Sequence, residues 1–323
     1  MQLNQVVIAY REGSLASKSA AQASAEDLRK RGVTVLTAPT GVYHNPYPVF
    51  LEATSQPIDL AIVLGGDGSS LAAARYLAPH GIPILSIKSG GHLGFLAQSE
   101  SVLNQDPWDR LLQDDFLTQE RMLLQAQVHR QPQLGQGLDP VTVKRGQRER
   151  HPISEVFYAF NEFCLKPITK TRLISAIMEL EVNGEVLDQY HGDGVLVATP
   201  TGSTSYTVAA NGPIIEPDLN VLTITPICPL SLSSRPIVIR GNSVVEIWPL
   251  QDPEGFTHLW GDGVMAQGIN PGEWVEIQQA SAPVKMVLLE RNLSYFRTLR
   301  EKLQWAGSRI HIPTTNHRPA SND

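Results

Sequence analysis

The sequence predicts two folding styles in succession: an α/β domain with a parallel sheet, then a β-rich, sandwich-like domain. Three observations carry this. Up to about residue 115, short continuous apolar runs alternate with helix-like stretches, the β-α-β order of a parallel sheet covered on both faces. Beyond about residue 120, short β-rich runs follow one another with turn residues between them, as in an antiparallel sandwich or meander. The 323 residues are also about twice a typical domain of ~150.

In the first half, Val6-Val7-Ile8-Ala9-Tyr10 is an unbroken apolar run, as expected of a strand buried on both faces. Ala16 to Arg31 is Ala-rich and helical, stopped by Gly32. Val33 to Leu36 reads as a second strand, and Gly41 to Pro48, with two prolines, as a loop. Ile58 to Leu64 is again a buried strand, Ser69 to Leu77 a helix and Ile82 to Ile87 a strand. The second half offers strands at Met122–His129, Val156–Leu165, Ser175–Val182, Glu185–Tyr190, Val195–Thr199, Val221–Ile224, Pro236–Ile239, Ser243–Trp248, His258–Trp260, Glu273–Gln278 and Val284–Leu289. Asn183-Gly184 is a hairpin turn, since both residues accept positive φ. Gln131 to Arg150 is a polar loop whose Lys144, Arg145, Arg148 and Arg150 read as a solvated face. Ser294 to Trp305 returns to helical spacing, with Tyr295, Leu299 and Leu303 on one face. The expected division is 1–120, completed by a C-terminal helix within 290–310, and 121–289.

Composition narrows the function. A net charge of -6 speaks against binding nucleic acid over a broad surface. Two cysteines exclude a disulfide framework and a Cys-based zinc cluster. No apolar run approaches the ~20 residues of a membrane span, and the N-terminus lacks a signal-type core, so the expectation is a soluble, cytoplasmic protein. The usual P-loop and the G-x-G-x-x-G dinucleotide fingerprint are absent.

Three motifs carry chemistry. LGGDGSS at 64–70 sits at the carboxyl end of a buried strand, where open α/β sheets place ligands. Gly65, Gly66 and Gly68 let backbone N–H groups approach an anion, and the following helix offers it a positive end. Asp67 would repel phosphate unless it holds a metal or takes a proton from an attacking hydroxyl; the plainer reading is a helix cap. ATPTGSTSYTVAANGPI at 198–214, preceded by Asp193-Gly194, offers hydroxyls, amides and one aromatic face to a nucleoside, against the plainer reading of a surface turn. Ala159-Phe160-Asn161-Glu162 lies in an expected strand, where Asn and Glu would face opposite sides.

Together these motifs resemble the NAD kinase family. GGDGS at 65–69 is similar to that family's GGDGT, and IKSGGHLGFL at 87–96 to its I-N-x-G-x-L-G-F-L. FNE at 160–162 is similar to its L-N-E, DGVLVATPTGSTSY at 193–206 to its D-G-x-x-x-S-T-P-T-G-S-T-A-Y, and PICPLSLSSRPIV at 226–238 to its P-I-C-P-H-S-L-x-x-R-P-I-V. The resemblance implies a two-domain GGDG-superfamily kinase that phosphorylates the adenosine ribose 2′-hydroxyl of NAD with ATP and Mg²⁺ or another divalent cation. It implies Asp67 as general base and Gly66 and Gly68 as the phosphate turn. Asn161 and Glu162 would hold adenosine, and Asp193 would reach the nicotinamide half. Thr204, Ser205, Tyr206 and Ala209 would line the dinucleotide site, with Arg172 and His191 as basic residues nearby. The metal ligands are not implied residue by residue. The second domain would assemble the chain as a homodimer or homotetramer, with no nucleic acid or membrane partner.

Where the chain departs from the pattern, Ser69 replaces Thr, Lys88 Asn, Ser205 Ala, Leu230 His and His191 Arg, and Asp262-Gly263-Val264 stands for D-G-Q. The rival readings are a lipid kinase of the diacylglycerol or sphingoid type, which shares the glycine motif but not PTGST, and a non-catalytic NAD sensor.

Overall fold

The computed structural model describes residues 2–41, 44–54, 56–90, 94–130, 151–168, 175–250, 257–270, 272–290 and 294–305. The chain divides into two compact units, Met1–Glu290 and Arg291–Asp323.

The first unit opens with β1 (Gln5–Arg11), α1 (Leu15–Lys30), β2 (Thr34–Thr40), α2 (Tyr47–Ala53), β3 (Leu60–Gly65), α3 (Asp67–Leu77), β4 (Ile84–Lys88), α4 (Pro107–Leu112) and β5 (Leu117–Arg121). Then come β6 (Leu124–Arg130), β7 (Phe157–Ala159), β8 (Glu162–Pro167), β9 (Ala176–Val182), β10 (Glu185–Gly192), β11 (Gly194–Ala198), α5 (Tyr206–Ala209) and β12 (Val221–Ile227). It closes with β13 (Ile237–Arg240), β14 (Val245–Pro249), β15 (Thr257–Gly261), β16 (Val264–Gly268), β17 (Glu273–Gln279) and β18 (Val284–Leu288). In the second unit, α6 (Tyr295–Lys302) is capped by Ser294, whose hydroxyl accepts the Arg297 N–H at 3.3 Å.

Among the described residues the strands form three six-stranded sheets. The first runs β2-β1-β3-β4-β18-β5, parallel through β18 and antiparallel at β5. Its order reverses between β1 and β3, so the crevice beyond their carboxyl ends is where such a sheet holds ligands. One face is packed by Ala21, Ala25 and Leu28 of α1 and Trp108 and Leu111 of α4, the other by Tyr47 and Phe50 of α2 and Ala73, Ala74 and Leu77 of α3. The other two sheets, β10-β9-β14-β17-β6-β7 and β13-β12-β11-β8-β15-β16, are antiparallel. Their inward residues, such as Val128, Leu180 and Ile277 from one and Leu165, Val197 and Ile224 from the other, share one core, a sandwich.

Four sequence expectations change. The loop expected over Gly41–Pro48 ends sooner: Pro46 is the cap residue of α2 and Pro48 lies in its first turn, where a missing N–H costs nothing. Val156–Leu165 is two strands, because the chain bends at Phe160 and Asn161. Asp262-Gly263, both with positive φ (49° and 77°), turn β15 into β16, a hairpin absent from the expected strands. Val284–Leu289 does not extend the β-rich half. As β18 it returns to the first sheet beside β4, and its near-continuous apolar burial is that of a central strand covered on both faces.

Candidate functional site

The turn after β3 places Asp67 at the first position of α3, with Gly66 in extended backbone as the cap residue. A Cβ at Gly66 or Gly68 would point into open space, so this backbone is bare on its outer side. The Asp67 carboxylate does not cap its own helix. It accepts the Phe95 N–H at 2.8 Å and the Leu96 N–H at 3.1 Å. Gly94 makes this possible, since a Cβ there would overlap the carboxylate. The GGDG turn and the LGFL stretch are thus one structure. Buried Gln98 fixes the latter: its amide nitrogen donates to Val287 O at 2.8 Å, and its carbonyl accepts Leu289 N–H at 2.7 Å and Glu290 N–H at 3.1 Å.

The Phe160-Asn161-Glu162 bend faces α3. Phe160 is fully buried in the core that holds Ala73, Ala74 and Leu77. The bend is gripped by Asp262, whose Oδ2 accepts Phe160 N–H at 3.0 Å and whose Oδ1 accepts Asn161 N–H at 2.7 Å and Glu162 N–H at 3.3 Å. Without the bend, Asn161 and Glu162 would point to opposite sides of one strand. With it, both line the same cleft.

The PTGST turn closes on this bend. The Thr199 hydroxyl donates to Phe160 O at 2.7 Å and accepts Gly202 N–H at 3.0 Å. Gly202 lies so close to the Asn161 carbonyl that a Cβ would collide with it. The Ser205 hydroxyl donates to Glu162 Oε1 at 3.3 Å, so the serine that departs from the family's alanine meets the glutamate directly.

The resulting cleft measures about 310 Å³. Asn161, Glu162, Ser205 and Tyr206 line it together with Leu71, Cys164, Lys166, Trp260, Asp262 and Gly263. Asp67 lies one helical turn before Leu71 on the same face of α3, about 5–6 Å away along the axis. Glu162 is buried, and its Oε2 has no hydrogen-bond partner. Burial, reinforced by the Asp262 charge, pushes its pKa up to about 8, against the pull of the Ser205 hydroxyl and the Tyr206 N–H. Burial likewise pushes the Cys164 thiol up to about 12, which makes it a poor nucleophile. Asp262 is also raised by burial, opposed by Arg75 and its N–H donors.

The other expected residues lie elsewhere. Thr204 is half-buried, with its hydroxyl on Thr201 O at 3.2 Å, and Ala209 is exposed on α5; neither lines the cleft. His191 is exposed on β10, with Nε2 at 2.8 Å from the Ser175 hydroxyl. Asp193 is exposed just before β11, five residues from Ala198 and hence about 16 Å from the cleft end of that strand. Arg172 and the basic loop Gln131–Arg150 lie outside the described residues. Sequence reasoning overlooked Leu71, Arg75, Cys164, Lys166 and Trp260. A period of two along β8 would have exposed Cys164 and Lys166 as neighbours of Glu162 on one face.

The chain matches the family profile described as the ATP-NAD kinase N-terminal domain over residues 7–116 and that of the ATP-NAD kinase C-terminal domain over 160–289. It is 50% identical to NAD kinase 1 of Thermosynechococcus vestitus over 320 residues, 98% of this chain and 100% of that one. In fold it is similar to yeast NADH kinase, solved in complex with NADH, with a TM-score of 0.75 at 21% identity over 96% of this chain and 90% of that one. It is also similar to an NAD kinase from Archaeoglobus fulgidus, solved with ATP, with a TM-score of 0.65 at 20% identity over 94% of this chain and 99% of that one.

Proposed function

Because the chain belongs to the NAD kinase family, we infer that it transfers the γ-phosphoryl group of ATP to the adenosine ribose 2′-hydroxyl of NAD, giving NADP and ADP. One observation carries the mechanism. The Asp67 carboxylate is fixed by two N–H donors at the start of α3, one turn from a cleft that holds Asn161 and Glu162. Asp67 takes the proton of the 2′-hydroxyl as its oxygen bonds to the γ-phosphorus and the bond to the ADP oxygen breaks. The backbone N–H groups around Gly66 and Gly68, at the positive end of α3, receive donor phosphate oxygens, with open space where either glycine would carry a side chain. Glu162 and Asn161 hold the adenosine, with Ser205 beside Glu162 and Tyr206 presenting an aromatic face; Thr204 and Ala209 act from outside the cleft, as parts of the turn and short helix that carry Ser205 and Tyr206. Asp193 serves the nicotinamide half, and His191 and Arg172 supply nearby basic character.

Among the described residues no group of three or more His, Cys, Asp or Glu side chains is placed to hold a metal ion. We propose that a Mg²⁺ ion or another divalent cation would be carried in on the donor phosphates, beside the turn that bears Asp67. Such a cation offsets phosphate charge.

No helix among the described residues is long and apolar enough to cross a membrane. We place the protein in the cytoplasm, where its free cysteines stay reduced. We propose a homodimer or homotetramer, since the outermost strands β10 and β13 of the sandwich expose Leu187 and Val238.

The test is Asp67→Asn, assayed for NADP formation from NAD and ATP. It keeps size and loses the base, so kcat should fall by about 10²–10⁴ with NAD binding little changed. Near-normal turnover by the folded variant overturns the assignment.

A further inference from the structure

We propose that Asp262 and Arg75 form a positioning clamp that sets the distance between the catalytic helix α3 and the acceptor-holding bend Phe160-Asn161-Glu162. The proposal rests on the kinase reading above and assigns to this pair a role that the motifs do not.

The Asp262 side chain is fully buried and receives four donors. Three are consecutive backbone N–H groups of the bend, and the fourth is the Arg75 guanidinium in the last turn of α3, at 3.1 Å. The grip is reciprocal, because Asp262 N–H donates to Glu162 O at 3.0 Å. Asp67 and Arg75 are eight residues apart on one straight helix, about 12 Å. α3 is therefore held at its first residue by the Phe95 and Leu96 amides and near its last by Asp262. The second hold is also what bends Asn161 and Glu162 into the cleft. A shift of Asp262 thus moves the acceptor's contacts relative to the base, not merely the stability of either half.

Two features separate this role from that of an ordinary turn residue. The β15–β16 turn needs a residue that accepts positive φ, and Asn meets that need as well as Asp, so the turn alone does not call for a carboxylate. Arg75 also lines a second cleft, of about 520 Å³, on the other side of the clamp, bordered by Tyr76, Tyr158 and Met265. The guanidinium end is therefore reachable by a small cation from outside the reaction cleft.

The experiment compares wild type with Asp262→Asn and Arg75→Ala, measuring kcat, KM for NAD, KM for ATP and melting temperature. Asp262→Asn keeps the turn but turns an amide N–H toward groups that are themselves donors. The expected result is a rise of about tenfold in KM for NAD and a fall of about 10–100-fold in kcat, the scale of sub-ångström to 1 Å misplacement, with KM for ATP within about twofold. Arg75→Ala should show the same split, and millimolar guanidinium should recover part of its kcat. Wild-type kinetics for folded Asp262→Asn, or NAD and ATP constants that change together in step with melting temperature, overturns the clamp. In either case NADP formation by the wild type leaves the kinase reading standing, and its absence from the wild type removes that reading.

Discussion

Gly94→Ala isolates the bracing of the base. The backbone at Gly94 is not in the left-handed region, so alanine brings no conformational penalty there. Its methyl group would occupy the place of the Asp67 carboxylate. The carboxylate must rotate away and give up both N–H donors, at 2.8 and 3.1 Å. Hydrogen bonds to a charged group contribute about 1.5–3 kcal/mol each, so the restraint lost is of order 3–6 kcal/mol. Its kinetic effect is bounded by the total worth of the base, about 10²–10⁴-fold, and a 1 Å displacement costs about 10²-fold. We expect kcat to fall by about 10²–10³, read as the initial rate of NADP formation at saturating NAD and ATP. NAD affinity by calorimetry should change less than threefold, by the reasoning that transition-state contacts move kcat alone. In an Asp67→Asn background, Gly94→Ala should add little, because the two changes remove one function. A folded Gly94→Ala enzyme with kcat within twofold of wild type, or full additivity with Asp67→Asn, refutes the reasoning.

Two further outcomes follow from buried polar groups. Glu162 has a folded-state pKa of about 8, above its ordinary 4.5, so the folded protein binds the extra proton between these values. The stability this contributes is complete below about pH 4.5 and is lost as pH rises through 8, so melting temperature should decline across that window and Glu162→Gln should flatten the decline; parallel slopes for the two proteins count against it. Gln98→Ala strands three backbone groups at Val287, Leu289 and Glu290, each worth about 1–3 kcal/mol when buried and unmatched. Val287 and Leu289 are buried and Glu290 is half-exposed, so urea unfolding should show a loss of about 2–6 kcal/mol from the two buried groups, and a loss below about 1 kcal/mol would mean the loop is held otherwise.

Both fold styles were legible because they rest on periodicity. Continuous apolar runs at β1 and β3 and the Asn183-Gly184 hairpin need only local chemistry. Asp67 and Tyr206 stand in glycine-marked turns that local chemistry singles out, whereas Asn161 and Glu162 read locally as strand residues and join them only through the resemblance of the motifs to one family. What escaped was non-local. β18 carries the signature of a buried central strand, but no local rule says which sheet it joins. The bend at Asn161 is imposed from 101 residues away by Asp262, so the intervening sequence reads as one strand. Nothing local singles out Arg75, because its partner Asp262 lies on the returning hairpin. Asp262-Gly263 was the exception. Its turn chemistry marks a hairpin on local grounds, since both residues accept positive φ.

A similar device stands at both ends of α3: Asp67 of the helix collects adjacent backbone N–H groups from the connection after β4, and Asp262, paired with Arg75 of the helix, collects those of the bend before β8. Loops cannot be held in register by apolar packing alone, which is non-directional, whereas a carboxylate with two or three amide donors fixes both position and angle. The arrangement is not the most stable one available. Burying Asp262 beside Arg75 sacrifices the hydration of both charges, and a well-packed apolar pair in such places is often as stable or more so. A fold under pressure for stability alone has no need of it. A site that must hold a weak nucleophile against a phosphorus atom across two walls does, because there the cost of misplacement is counted in rate.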